Sequence, residues 1–164
     1  MLEYIKTIYD YNDWSNQRIL NTCEQLSQAQ LDAPTQNGYA SLRATLVHTM
    51  NGNWIWRSRW QGVSPKAPLA ERDFPTLASI RLRWQEEEQQ TRVFLATLTE
   101  STLASDLTYQ NLKGITSTLP LWQTMIHVVN HGTQHRSEIA FMLTALEHSP
   151  GDLDMSLFLN QRKE

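Results

Sequence analysis

The chain has 164 residues, a length that fits one domain spanning 1–164 with a substantial apolar core. Apolar residues make up 40% and charged residues 19%, which excludes a disordered chain. Net charge is −3 with Lys and Arg scattered, so the concentrated basic surface that nucleic-acid binding requires is missing.

No run approaches the roughly 18 apolar residues of a membrane span. The opening MLEYIKTIYDYNDW lacks the basic-then-apolar order of a secretory signal. A single cysteine, Cys23, excludes an internal disulfide framework and suits a cytoplasmic setting.

The spacing predicts a first helix from about Leu2 to about Leu26. Ile5, Ile8, Asn12, Ile19, Cys23 and Leu26 fall near one stripe, which turns polar around Asn12 and Asn16. The polar segment SQAQLDAPTQNGYA reads as a loop. Ser41 then caps a second helix that runs to about Gln61, with Gly62 as its stop. A third helix starts near Pro75 and buries Leu77, Ile80, Trp84, Thr91, Phe94 and Leu98. Its EEEQQ run, and Arg81 and Arg83 in IRLRW, read as solvated surface.

Residues 101–119 alternate apolar and polar around LKG, as a small hairpin or an extended loop would. A fourth long helix runs from about Leu121 to Glu147, and MSLFLNQ forms a short terminal helix after the HSPGDLD break. The expected fold is all-α: a four-helix bundle with a short C-terminal helix and a possible small hairpin before the fourth helix.

Chemistry concentrates in HVVNHGTQHR, where His127, His131 and His135 recur every four residues. At about 100° per residue, Leu121, Val128, Ile139, Met142 and Leu146 form the core stripe of this helix. His135 lies on the edge of that stripe, His131 roughly 40° from it and His127 roughly 80°. Two imidazoles four residues apart sit about 6 Å apart along the axis and can share one ion, whereas His127 and His135, about 12 Å apart, cannot. The inward pair His131 and His135 is therefore favoured, and it needs a further ligand from another helix.

Of the other histidines, His148 sits beside SPG at a helix end and reads as exposed. His48 lies within the second helix, on one line with Ala44, Gly52 and Ile55. Mid-helix glycine costs roughly 1 kcal/mol relative to alanine. Gly52 near His48 and Gly132 beside His131 therefore suggest that space is kept around imidazoles, although close helix packing also favours glycine. The zincin H-E-x-x-H pattern and the paired E-x-x-H motifs of di-iron bundles are absent from the sequence.

These residues resemble the DinB/YfiT-like superfamily of metal-binding helix bundles over nearly the whole chain. The likeness runs through YNDWSNQRIL, YASLRATLVHTMNGNWIWRSRWQG and PGDLDMSLFL, and is strongest at WQTMIHVVNHGTQHRSEIAFMLTAL. The family's Asn-His and His-Arg signature falls on Asn130-His131 and His135-Arg136, while HRSEI replaces the usual HRGQI at Ser137 and Glu138. The resemblance implies an up-down-down-up homodimeric bundle with His48, His131 and His135 as ligands of a divalent metal. His127 would be a flanking residue. Imidazole donors suit zinc or nickel, and also iron.

The resemblance also implies a candidate activity, since the superfamily includes transferases that use bacillithiol, mycothiol or glutathione. On that reading the ion activates a small-molecule thiol, which attacks an electrophilic small molecule. Asn12 and Asn16 would touch the thiol if they faced the site, and otherwise begin a solvated face. Two alternatives stand beside it: a metal-dependent hydrolase, for which no carboxylate stands out because Glu138 points to the flank, and a non-catalytic metal- or ligand-binding bundle. No nucleic acid or membrane is an expected partner.

Overall fold

The computed structural model describes residues 1–35 and 39–162. Four long helices carry the fold: α1 (Leu2–Cys23), α3 (Leu42–Trp60), α4 (Leu77–Ala96) and α6 (Leu121–Ala145). Between them lie α2 (Gln28–Asp32), α5 (Glu100–Ala104) and a hairpin of β1 (Asp106–Gln110) and β2 (Thr116–Pro120), and α7 (Met155–Gln161) follows α6.

Local chemistry sets the ends. Ser41 Oγ accepts from the Ala44 N–H at 3.0 Å, satisfying one of the orphan donors that open α3. Gly62, with φ +84°, then takes the chain out of α3 in a left-handed conformation. The third helix begins two residues past Pro75, because the Thr76 side chain takes the cap. The stretch SQAQLDAPTQNGYA is not all loop: Ser27 and Gln30 form a reciprocal capping box that starts α2. Residues 36–38 of that stretch lie outside the described residues. The hairpin pairs Asp106 with Pro120 through Gln110 with Thr116, antiparallel.

Among the described residues the core has two apolar clusters, and these define the topology. One joins Ile19, Leu20 and Cys23 of α1 to Leu42 and Leu46 of α3, Ile80 and Trp84 of α4, and Ile139 and Leu143 of α6. The other joins Ile5 and Ile8 to Trp60, Leu95, Leu121 and Met125. The start of α1 thus meets the start of α6 and the ends of α3 and α4. The helices run up-down-down-up.

Between the clusters the buried residues turn polar. Asn12 and Asn16 of α1, Arg57 of α3, Glu87 and Thr91 of α4, and His135 and Arg136 of α6 are all buried. This belt is where the charged run EEEQQ departs from a solvated surface. Glu87 is 2% exposed and pairs with Arg57 Nε at 2.7 Å and with Arg83. Arg81 is also engaged, donating to Asn21 Oδ1 and pairing with Glu24. His148 is half-buried rather than exposed, its Nδ1 3.1 Å from Gln25 Oε1.

Candidate metal centre

Helix α6 presents its histidines as a spiral, and α3 meets the inward pair. The structure brings His48, His131 and His135 together with one ring nitrogen of each within 4.8 Å of the others. His48 Nε2 lies 3.1 Å from His131 Nε2. Bonds of about 2.0–2.1 Å to a tetrahedral ion set neighbouring ligand nitrogens roughly 3.3 Å apart, so this pair has ligand spacing. The His135 ring stands nearly perpendicular to both others, at centroid distances of 4.6 Å from His48 and 4.4 Å from His131. Three imidazoles so placed could hold a divalent metal ion.

The electrostatics favour the metal-binding form. Burial, then the neighbouring His135, pushes His48 down to about 4. Burial, then the surrounding imidazoles, does the same to His131. Both are neutral at physiological pH, which is the state a metal requires of histidine. His135 Nδ1 donates to Glu138 Oε2 at 2.8 Å, which fixes its tautomer and leaves Nε2 as the unprotonated nitrogen. Glu138 therefore belongs to the site despite its flankward position on the helical wheel, because its side chain reaches back to His135. Its bond to His135 makes it an orienting group. Tyr39 stacks on His48 with centroids 4.0 Å apart and holds its hydroxyl 2.8 Å from His48 Nε2. Periodicity could not find Tyr39, because it precedes α3 rather than lying on a helix.

His127 stays outside the trio. It is exposed, with its ring 6.1 Å from His131 and 5.1 Å from Trp56.

The two glycines keep space, but for other groups than adjacency suggests. A Cβ on Gly52 would lie 2.8 Å from His131 Cε1, so Gly52 of α3 admits the imidazole of α6. A Cβ on Gly132 would lie 2.8 Å from Arg136 Nη1 and 3.0 Å from Asn12 Oδ1. Gly132 thus serves the contact between α6 and α1.

That contact explains the polar stripe of α1. Asn12 and Asn16 are neither solvated nor in the site: both accept from Arg136 Nη1, at 2.6 and 2.8 Å. Arg136 Nη2 donates to Thr133 Oγ1, and Tyr11 offers its ring face 5.7 Å away. Burial pushes the Arg136 guanidinium down to about 10, still cationic at neutral pH. The arginine of the signature pins the helix that carries two of the imidazoles.

A cavity of about 460 Å³ opens beside the trio, lined by His48 and His131 at one end and by Trp56, Arg59 and His127 further along. Ile55, Val47 and Leu69 make much of its wall apolar. The sequence model of the DinB family matches residues 1–164. The chain is 26% identical over 173 aligned residues to protein DinB of Bacillus subtilis (strain 168), covering 99% of this chain and 98% of that protein. The chain belongs to the DinB family.

Proposed function

We propose that His48, His131 and His135 ligate a divalent ion, zinc or nickel before iron, and that the site transfers a low-molecular-weight thiol to an electrophilic small molecule. The observation that carries this reading is the meeting of His48 with the α6 pair at the mouth of a ligand-sized cavity. An ion on three neutral imidazoles keeps its full charge and an open position, and lowers the pKa of a thiol that binds there.

The chain's own residues supply the rest. Glu138 orients His135. Val47, Ile55 and Leu69 give the chamber apolar walls that limit water around a thiolate. Hydrolysis ranks second, because Glu138, the carboxylate at the trio, is engaged with His135 rather than free to act as a base. The reading includes a cytoplasmic setting, which suits the single cysteine, and a homodimer, which follows the family resemblance. No helix among the described residues is long and apolar enough to cross a membrane.

Two measurements test it. Elemental analysis of purified protein is expected to find a divalent metal that His48→Ala, His131→Ala and His135→Ala each lose and His127→Ala keeps. Loss in His127→Ala with retention in His135→Ala would overturn the ligand set. Metal-loaded protein is then mixed with monochlorobimane and glutathione, bacillithiol or mycothiol. Thioether formation with chloride release should exceed the uncatalysed rate with one of them. No acceleration with any thiol would remove the transferase reading and leave the metal site.

A further inference from the structure

Arg59 stands out among the residues that line the cavity. It is 6% exposed, and among the described residues its guanidinium forms no ion pair and no hydrogen bond. Its Nε is buried without an acceptor. Two aromatic rings hold it instead: Cζ lies 4.6 Å from the Trp56 centroid and 4.9 Å from that of Tyr109. These contacts satisfy the faces of a planar cation and do nothing for its in-plane N–H donors. An Nε–H withdrawn from water and left unpaired costs free energy unless an acceptor completes it.

The other buried arginines of the bundle are completed. Arg57 has Glu87, and Arg136 has two asparagines and Thr133. Arg59 differs in that it faces a cavity. We infer that Arg59 is the anion seat of this chamber, and that the ligand is a small carboxylate with an apolar body lying between Arg59 and the histidine cluster. The inference rests on the chamber being the substrate pocket of the proposed site.

Three features set the ligand class. Much of the wall between the two ends is apolar, so the body is apolar. Glu71 also lines the chamber, but its carboxylate is paired with Arg43 at 2.8 Å, and the single cationic charge of Arg59 matches a monoanion. Arg59 follows His48 by eleven residues on α3, about 16 Å along the axis, and helical side chains lean back toward the N-terminus, so an extended chain spans the gap. Trp56 and Tyr109 fix the guanidinium in advance, which spares the ligand the entropy of ordering a long side chain.

The test uses metal-free protein and no thiol, so its outcome is independent of transferase chemistry. Octanoate and its neutral analogue octanamide are titrated calorimetrically at low salt. Octanoate is expected to bind at least about tenfold more tightly. Arg59→Gln should bring octanoate down to the octanamide level and leave octanamide unchanged, and Arg59→Lys should restore part of the preference. Equal binding of the two probes by the wild-type chain, no binding of either, or a preference that survives Arg59→Gln overturns the assignment. If Arg59→Gln proves unfolded by circular dichroism, the wild-type protein decides alone. The Arg59 Nε–H resonance must move with octanoate and not with octanamide, and a stationary resonance overturns the inference.

Discussion

Gly52 lies one turn after His48 on α3, yet the imidazole it admits belongs to α6. Alanine there raises helix propensity by roughly 1 kcal/mol and at the same time drives a methyl into the His131 ring. Gly52→Ala should therefore separate two quantities that usually move together. Metal-free protein is expected to melt no lower than wild type, while affinity for zinc falls about tenfold or more, as for other disturbances of the shell behind a ligand. Competition with a chromophoric chelator measures the affinity, and an unchanged value would mean that Gly52 keeps no room for a ligand. At this scale the sequence yields the inward histidine pair, because 3.6-residue periodicity sorts His131 and His135 from His127. Its line with Ala44, Gly52 and Ile55 draws attention to His48, and the family resemblance implies it as the third ligand. Tyr39 escapes the sequence, and so does the bond that makes Glu138 an orienting group. Tyr39 sits outside the periodic segments, and the reach of Glu138 back to His135 Nδ1 depends on a side-chain torsion that a helical wheel does not contain.

Within α4 the EEEQQ run is only partly exposed. Runs of like charge are read as surface, but Ile80, Trp84, Glu87 and Thr91 follow one another on a single stripe, and all four are buried. The stripe was the stronger signal. Glu87 faces Arg57 across the α3–α4 contact, and removing one partner strands the other as an unpaired buried charge. Glu87→Ala is expected to lower the unfolding free energy by about 3–5 kcal/mol, read from urea denaturation. Replacing Glu87 and Arg57 together by apolar residues of similar size should recover most of the loss. A single variant that costs less than about 1 kcal/mol would mean that the pair is solvated in solution. The same logic explains Asn12 and Asn16. A polar break in an apolar stripe marked a buried partner, and that partner, Arg136, lies more than a hundred residues away where no local pattern points to it. Helix spans were legible to within a few residues, and the short α2 and α5 were not. Each is a single capped turn or little more, too brief to build periodicity.

Across the whole molecule, two apolar clusters are stacked about a polar belt, and the belt makes stability depend on pH in two opposing ways. Asp13 of α1 has its carboxyl raised from 3.8 to about 7, chiefly by burial and then by Glu88, although it pairs with Arg92 at 2.6 Å. A native carboxyl that keeps its proton to about pH 7 stabilises the fold fully at low pH. That contribution disappears as pH rises from about 4 through 7. His48 and His131, pushed down to about 4, act the other way: their contribution is present above the ordinary histidine value and is lost as pH falls toward 4. Asp13→Asn removes the first effect. The urea midpoint of metal-free Asp13→Asn protein, taken between pH 4.5 and 6.5, should climb more steeply with pH than that of wild type. Parallel profiles would place the Asp13 carboxyl in its ordinary range. The up-down-down-up bundle was legible from four amphipathic segments and the family resemblance, whereas the belt was not, because its members come from four helices and pair across them. His48 and His131 are separated by 83 residues of chain, and an ion shared by them would be a reversible staple closing that span. Cross-linking a loop of this length removes conformational freedom from the unfolded chain worth about 4–5 kcal/mol in the chain-entropy view. Free metal concentration would then set how often α3 and α6 part, and so how often the chamber between them opens to exchange what it holds.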